Sequence, residues 1–184
     1  MIQLVEVRDR YRYGDQLPRS VSLSRWQAGR DVFMHRHQPV GMRPRTLGRP
    51  DLASAFLQET LVFVRHSALY ALFLCKDHML VSALEIARTD EANGDLRVSE
   101  REMRIRRREV VKVAMQSFAA GLMLVMHEVG PIRPGSMTLA GEVHSALVEP
   151  LSMIDVQFTD HYWIAGNDVR SWFAKDIEDL LPVL

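Results

Sequence analysis

The sequence predicts an α+β fold dominated by helices, with one long central helix over residues 99–129. Ser99 and Glu102 form an S-x-x-E capping box, in which each side chain accepts a hydrogen bond from a main-chain N–H of the first turn. Gly130 and Pro131 end the segment, because glycine tolerates the left-handed position after a helix and proline cannot continue one. At about 1.5 Å per residue such a helix is ~45 Å long, enough to cross a whole domain.

Length and composition indicate a single globular domain. Apolar residues make up 47% and charged residues 25% of the 184 residues, which excludes wholesale disorder. Cys75 is the only cysteine, so no internal disulfide forms and a reducing compartment is expected. The N-terminus lacks a secretory signal pattern, and the apolar runs are shorter than the ~20 residues that a spanning helix needs. The sequence therefore predicts a cytoplasmic protein with no membrane segment.

Charge is unevenly distributed along the chain although the net charge is zero. Residues 1–50 hold ten basic and four acidic side chains, and residues 98–112 hold six and three. Residues 51–97 hold four basic and seven acidic side chains, and residues 113–184 hold three and nine. A neutral total argues against nonspecific wrapping of long nucleic acid, which needs a large positive field. The segregation indicates that the basic blocks bind the acidic half of the chain, an acidic surface of another subunit, or a phosphate backbone.

The first 50 residues are predicted to form an arginine-rich arm. Residues 2–7 favour a short strand, and residues 20–34 favour a helix that Gly29 weakens. Three prolines and two glycines in 35–50 are typical of a linker. The predicted division is therefore an N-terminal arm, 1–50, with a short strand and a helix, followed by a globular α+β core, 51–184.

Within that core, the patterns predict a small antiparallel sheet or hairpins packed on the long helix. Residues 52–65 favour a helix that continues or restarts to 74, and 79–88 favour a hairpin strand, a helix being the alternative. Asn93 and Gly94 supply a turn for that hairpin, with 96–98 as its second strand. Later segments are predicted as a helix (136–148), extended strands (153–158 and 162–164) and a C-terminal amphipathic helix capped by Asn167 or Asp168.

Basic side chains form a stripe along the first half of the long helix. At 100° per residue Arg101, Arg104, Arg108 and Lys112 lie within about 80° of one another. The same face then carries an apolar seam with a/d spacing, made of Val111, Met115, Phe118, Leu122, Val125 and Val129. One interpretation is a solvated helix end. The other is that the stripe binds phosphates or an acidic partner.

The arm offers a second basic group, formed by Arg36, Arg43, Arg45 and Arg49. Arginines interleaved with aromatic residues suit single-stranded nucleic acid, where rings stack on bases and cations follow the backbone. No RNP, zinc-finger or glycine-clamp motif accompanies them. The arm is therefore predicted to bind nucleic acid or an acidic protein surface without a recognisable nucleic-acid fold.

No motif for a nucleophile, a phosphate loop or a dinucleotide occurs, so no cofactor is expected. We predict a non-catalytic interaction or regulatory module that self-associates, as a homo-oligomer or within a larger assembly, because 117–126 is apolar on every side. The alternative is a small α+β enzyme whose loops gather His35, His37, Asp160 and His161, with or without a metal. His35 and His37 form an H-x-H pair, but no third ligand stands at a recognisable spacing.

Overall fold

The computed structural model describes residues 23–35, 46–89, 96, 98–131 and 133–171. The described helices are α1 (Leu23–Arg30), which runs into a π-helical turn (Asp31–His35), α2 (Pro50–Leu61), α3 (Glu100–Gln116) and α4 (Pro134–Ser152). The described strands are β1 (Ser67–Leu74), β2 (Leu80–Thr89), β3 (Gly121–Glu128), β4 (Gln157–Ala165) and β5 (Asp168–Ser171).

The five strands form one mixed sheet in the order β2-β1-β3-β4-β5. β1 is antiparallel to both of its neighbours, β3 and β4 are parallel, and β5 is antiparallel to β4. Parallel strands need a crossover connection, which α4 supplies between β3 and β4. The architecture is therefore a mixed sheet between helical layers, and the predicted helix-dominated fold with a small antiparallel sheet is wrong.

Helices cover both faces of the sheet. On one face, side chains of α3 and α4 such as Val113 and Val143 pack on Leu69 and Leu124. On the other face, α2 packs its apolar side on alternate residues of the same strands, including Tyr70. Strands covered on both faces are largely apolar, and all eight residues of β1 and of β3 are buried.

The predicted long central helix is wrong, although its start is confirmed. The main-chain N–H of Ser99 donates to Glu102 Oε2 over 3.0 Å, and the Glu102 N–H donates to Ser99 Oγ over 3.3 Å, which is the predicted capping box. The helix ends at Gln116, where the N–H of Ala119 donates to the carbonyl of Ala114 (2.9 Å) and that of Phe118 to Met115 (3.3 Å). This pair of hydrogen bonds is a Schellman motif, and Phe118 with φ 50° fills the left-handed position that glycine usually takes.

The apolar second half of the predicted helix is a buried strand. β3 lies at the centre of the sheet, where Leu122 and Val125 are fully buried on opposite faces. A short apolar run such as 121–126 fits a strand covered on both faces as well as it fits a core helix. The predicted seam therefore does not exist, because it joins exposed residues of α3, Met115 among them, to buried residues of β3.

Three further elements differ from the sequence prediction. Residues 67–74 form β1 rather than a helix, and β2 pairs with β1 instead of with 96–98. The predicted C-terminal helix is wrong at its start, because Asp168–Ser171 is strand β5. The rest of that helix (172–181), the strand 2–7 and the Asn93-Gly94 turn lie outside the described residues. The division of the chain at residue 50 stays a prediction.

The segment made of α1 and the π-helical turn crosses the edge strand β2 from one face of the sheet to the other. Trp26 packs in the cluster under α3 and α4, whereas Phe33 packs in the cluster under α2. Between them Gly29 lies so close to β2 that a Cβ there would stand 2.9 Å from the main-chain nitrogen of Leu84. The Arg25 guanidinium donates to the carbonyl oxygen of Ile86 over 2.7 Å. The open edge of the sheet is thereby covered.

Among the helices that the structure describes, none is both long and apolar enough to span a bilayer.

Candidate functional site

The outer face of α3 carries the predicted basic stripe. Arg101, Arg104, Arg108 and Lys112 are all exposed, on the side of the helix opposite Val110 and Ala114, which are buried against the sheet. The four cations lie on one face because each is three or four residues from the next. The geometry assumed in the prediction is present, and whether these residues bind a partner stays a prediction.

The arginines of α3 differ in their partners according to the side of the helix. Arg106 points inward, and its guanidinium contacts the Glu109 carboxylate at 2.8 Å with both side chains largely buried. Arg104, Arg107 and Arg108 are exposed, and none of them makes an ion pair with a carboxylate in the described residues. The outer face of α3 therefore presents positive charge that the described part of the fold does not neutralise.

A groove of about 410 Å³ lies between α3 and the end of α4, and we call it the α3–α4 groove. Its lining consists of Arg107, Arg108, Val111 and Lys112 from α3, and of Glu149, Pro150 and Met153 from the end of α4. Three cations thus face one carboxylate around apolar side chains. A groove of this size and composition suits an anionic ligand that also has an apolar surface.

Exposed apolar side chains continue this surface at the C-terminal end of α3. Met115 is 58% exposed, one turn after Lys112, and Phe118 is 72% exposed just beyond the helix. Met153, in the groove lining, is 79% exposed. Methionine side chains adapt to differently shaped partners, and exposed aromatic rings are frequent anchors in protein interfaces. The surface is therefore basic along α3 and apolar at its end.

The remaining predicted basic residues do not join this surface in the described part of the chain. Arg49 precedes α2, on the opposite face of the sheet from α3, and forms an exposed ion pair with Asp51 at 2.6 Å. Arg36, Arg43 and Arg45 lie outside the described residues. The structure thus brings together the four residues of the α3 stripe and separates Arg49 from them.

The loop-built histidine and acid site is not what the structure shows for Asp160 and His161. Both residues are buried in strand β4, and as neighbours in a strand they point to opposite faces of the sheet. The Asp160 carboxylate accepts from Ser171 Oγ and from the His161 N–H, each over 2.6 Å. Burial lowers the pKa of His161 to about 3, so its ring stays neutral in the fold. His37 and the side chain of His35 lie outside what the structure describes.

A second polar cluster lies where β1 begins and β2 and β3 end. His66 Nε2 is 3.1 Å from the Tyr70 hydroxyl and 3.4 Å from Glu85 Oε2, and His127 Nδ1 is 3.0 Å from the His66 carbonyl oxygen. Burial, followed by the Glu85 charge, raises the pKa of Tyr70, and burial lowers that of His127. These contacts link three neighbouring strands. In the described part of the chain, no three His, Cys, Asp or Glu side chains are placed to hold a metal ion together.

On the opposite face of the same sheet end, Glu128 is fully buried. Its Oε2 accepts from the Arg133 guanidinium over 2.8 Å, and the N–H of Val129 donates to Ser67 Oγ over 3.1 Å. Arg133 precedes α4, so this pair ties the start of that helix to the end of β3. A buried carboxylate needs such a partner, because desolvation of an unpaired charge is costly. We interpret this contact as a support for the fold.

Sequence reasoning missed five residues of the groove, namely Arg107, Val111, Glu149, Pro150 and Met153. Arg107 and Val111 follow from the α3 stripe, since each neighbours a residue of the stripe on the helix surface. Pro150 and Met153 had no such signal, because a proline after a helical pattern predicts its end. The helix instead continues through Pro150 to Ser152, which brings the end of α4 alongside α3.

No protein-family model matches the chain. The chain is similar to a UPF0758 protein of Cupriavidus taiwanensis, with 28% identity over 138 residues, which cover 74% of this chain and 55% of that protein. It is also similar to a UPF0758 protein of Neisseria gonorrhoeae, with 25% identity over 128 residues, or 69% of this chain and 52% of that protein. The chain thus spans about half the length of the curated relatives it matches. Their names state no reaction, ligand or partner.

Proposed function

We propose that this chain is a non-catalytic interaction module whose α3–α4 groove and α3 stripe bind an acidic, amphipathic segment of a protein. The observation that supports this proposal is the lining of the groove, where three cations and one carboxylate surround the apolar side chains of Val111, Pro150 and Met153. An acidic peptide with an apolar face would match both features. The charge of Arg104 and Arg108, which forms no ion pair among the described residues, would favour its approach and orientation.

A protein segment fits this surface better than a phosphate backbone does. Met115, Phe118 and Met153 add an apolar area that a phosphate backbone cannot use. The whole chain has no net positive charge, whereas nonspecific nucleic-acid binding depends on a large positive field. Nucleic-acid binding is therefore an outcome of the test rather than the proposal.

The test is fluorescence anisotropy at 50 mM salt with three labelled probes of equal length: an acidic amphipathic peptide, single-stranded DNA and duplex DNA. We expect the peptide to bind, and we expect its affinity to fall as the salt concentration rises. Arg104→Ala with Arg108→Ala should weaken peptide binding about tenfold, because each exposed ion pair contributes about 0.2–1 kcal/mol. The matched control is Arg65→Ala with Lys76→Ala, which removes the same charge from exposed positions outside the groove.

Two results would contradict the proposal. One is an equal loss of affinity in the control and in the Arg104→Ala, Arg108→Ala variant, which would mean that only the net charge of the protein matters. The other is binding of DNA but not of the peptide, with a salt slope that falls by about two in the double variant, since each phosphate contact adds about 0.9 to the slope. Self-association stays a prediction, which the light-scattering mass of the purified protein tests.

A further inference from the structure

The α3–α4 groove calls for an occupant with carboxylates and apolar side chains, and the chain itself carries such a segment after β5. Residues 172–184 read WFAKDIEDLLPVL. They lie outside the described residues. We infer that residues 172–184 bind the α3–α4 groove of their own chain and compete there with an outside partner. This inference rests on the proposed function of the groove.

The charges of the groove and of the segment are complementary. The groove is lined by Arg107, Arg108 and Lys112 against one carboxylate, that of Glu149. The segment carries the carboxylates of Asp176, Glu178 and Asp179 against one lysine, Lys175. The groove has an excess of two positive charges, and the segment has an excess of two negative charges. Such complementarity favours one partner and one orientation over others.

The apolar residues match in their spacing as well. Ile177, Leu180 and Leu181 stand at i, i+3 and i+4, the spacing that places side chains on one face of a helix. On that helical wheel Asp176 and Glu178 flank the apolar face, one on each side. The groove has the corresponding pattern, with Val111, Pro150 and Met153 as apolar lining beside the three cations.

The described chain ends close enough for the segment to reach the groove. Ser171 is the last residue of β5, and it pairs with Tyr162 of β4, the strand on which α4 packs. Packed helix axes lie about 8–10 Å apart, so α3 is two such spacings or less from β4. With residues 172–175 extended over ~14 Å and residues 176–184 helical over ~13 Å, the segment spans about 27 Å, which exceeds this distance.

A tethered segment competes strongly even when its own affinity is low. Attachment to β5 through only a few residues gives it an effective concentration at the groove on the order of 1 mM. With an intrinsic Kd on the order of 0.1 mM, the segment would weaken an outside peptide about tenfold. The groove would then be closed to weak acidic partners and open to those that bind tightly.

The test uses full-length protein in which the segment is neutralised by Asp176→Asn, Glu178→Gln and Asp179→Asn. The probe is a labelled synthetic peptide of residues 172–184, measured by fluorescence anisotropy beside the unrelated acidic peptide. Both probes should bind the neutralised protein about tenfold more tightly than the wild type. Adding Arg104→Ala and Arg108→Ala should remove that gain. The matched control neutralises Glu142, Asp155 and Asp168, three exposed carboxylates outside the groove lining, and should leave both affinities unchanged.

The outcomes separate this inference from the proposed function. If the unrelated peptide binds while neutralisation changes nothing, the segment does not occupy the groove and the inference fails alone. If neither probe binds the neutralised protein, the proposed function fails as well. If the gain appears only above the concentration at which light scattering shows dimers, the segment acts on a second copy, and occupancy within one chain is wrong.

Discussion

Arg106 and Arg108 lie two residues apart on α3 and have opposite surroundings. The Arg106 guanidinium contacts Glu109 at 2.8 Å inside the fold, whereas Arg108 lines the α3–α4 groove and has no carboxylate partner in the described residues. Two residues turn a helix by about 200°, so the sequence places them on opposite sides. Arginine content alone therefore does not indicate binding. The side of the helix decides whether the charge serves folding or remains available for a partner.

Arg25 belongs to the inner group. It lies on α1 and donates to a main-chain carbonyl of β2, and burial, followed by the neighbouring Arg106 charge, lowers its pKa. Glu85, Glu109 and Glu102 act in the opposite direction on the same guanidinium. The inner arginines are therefore balanced by carboxylates from β2 and α3, in contrast to those of the outer face.

The largest effect is expected from replacing Arg106. Arg106→Met leaves the Glu109 carboxylate buried without this partner, and the free energy of unfolding should fall by about 3 kcal/mol. Arg108→Met on the outer face should change it by less than ~0.5 kcal/mol. Urea denaturation of both variants checks this. Equal losses in the two would remove the distinction between the inner and outer sides.

A somewhat smaller effect is expected at Gly29. An alanine Cβ there would stand 2.9–3.0 Å from main-chain atoms of Leu84 and Ala83, which cannot move without disturbing the sheet. Gly29→Ala should therefore cost about 2–3 kcal/mol. The control is Gly141→Ala in α4, where a Cβ meets nothing within 4 Å and the better helix propensity should stabilise by up to ~1 kcal/mol. Thermal unfolding that shifts equally in both variants would contradict the close contact of α1 with β2.

The next effect depends on pH and concerns the buried His161. Its pKa falls from 6.5 in the unfolded chain to about 3 in the fold, chiefly through burial and then through the charge of His144. As pH falls, the unfolded state binds the proton on His161 before the folded state does. This group therefore leaves the free energy of unfolding unchanged above pH ~6.5 and lowers it progressively from there down to about pH 3. Between pH 6.5 and 5 the free energy of unfolding falls by about 2 kcal/mol.

Chemical denaturation at several pH values measures this slope. His161→Gln should flatten it, because glutamine does not titrate in this range. An unchanged slope would show that other groups, such as His127 or His144, carry the dependence instead. Neither Arg104→Ala nor Arg108→Ala should alter it, because the pKa of His161 depends on burial and on His144 rather than on these arginines.

The smallest effect has the opposite sign. Phe118 sits in the left-handed region with φ 50°, which costs a residue other than glycine about 1 kcal/mol. Phe118→Gly should therefore stabilise the fold by about 1 kcal/mol while weakening the binding of the acidic peptide. Phe118→Ala separates the two effects, since it loses the ring but keeps the strain. If Phe118→Gly destabilises the fold, the ring is structural rather than part of the binding surface.

The sequence predicted those features that depend on local pattern. The start of α3 followed from Ser99 and Glu102, and the exposure of the stripe from Arg101 to Lys112 followed from helical spacing. The end of α3 did not, because Phe118 occupies a position at which glycine is the usual signal. β3 was not predicted either, since an apolar run covered on both sides fits a strand as well as a helix.

The groove was only half predictable for a related reason. The lining residues on α3 follow from the spacing within one helix. Pro150 and Met153 reach the groove only because α4 continues through a proline and packs alongside α3. Contacts between elements distant in sequence depend on the packing of the whole sheet, which local patterns do not specify. Likewise, the burial of Asp160 and His161 depends on β5 and α4 covering β4.

The coverage of β2 by α1 also determines how the protein behaves at high concentration. An uncovered edge strand offers a row of main-chain donors and acceptors on which other chains can add strands and grow into fibrils. At β2 the close approach of Gly29 and the Arg25 hydrogen bond exclude such an added strand. At the other edge β5 has only four residues and carries the paired charges of Asp168 and Arg170. Both edges of the described sheet are thereby protected against strand addition, and detachment of α1 is the event that would expose β2.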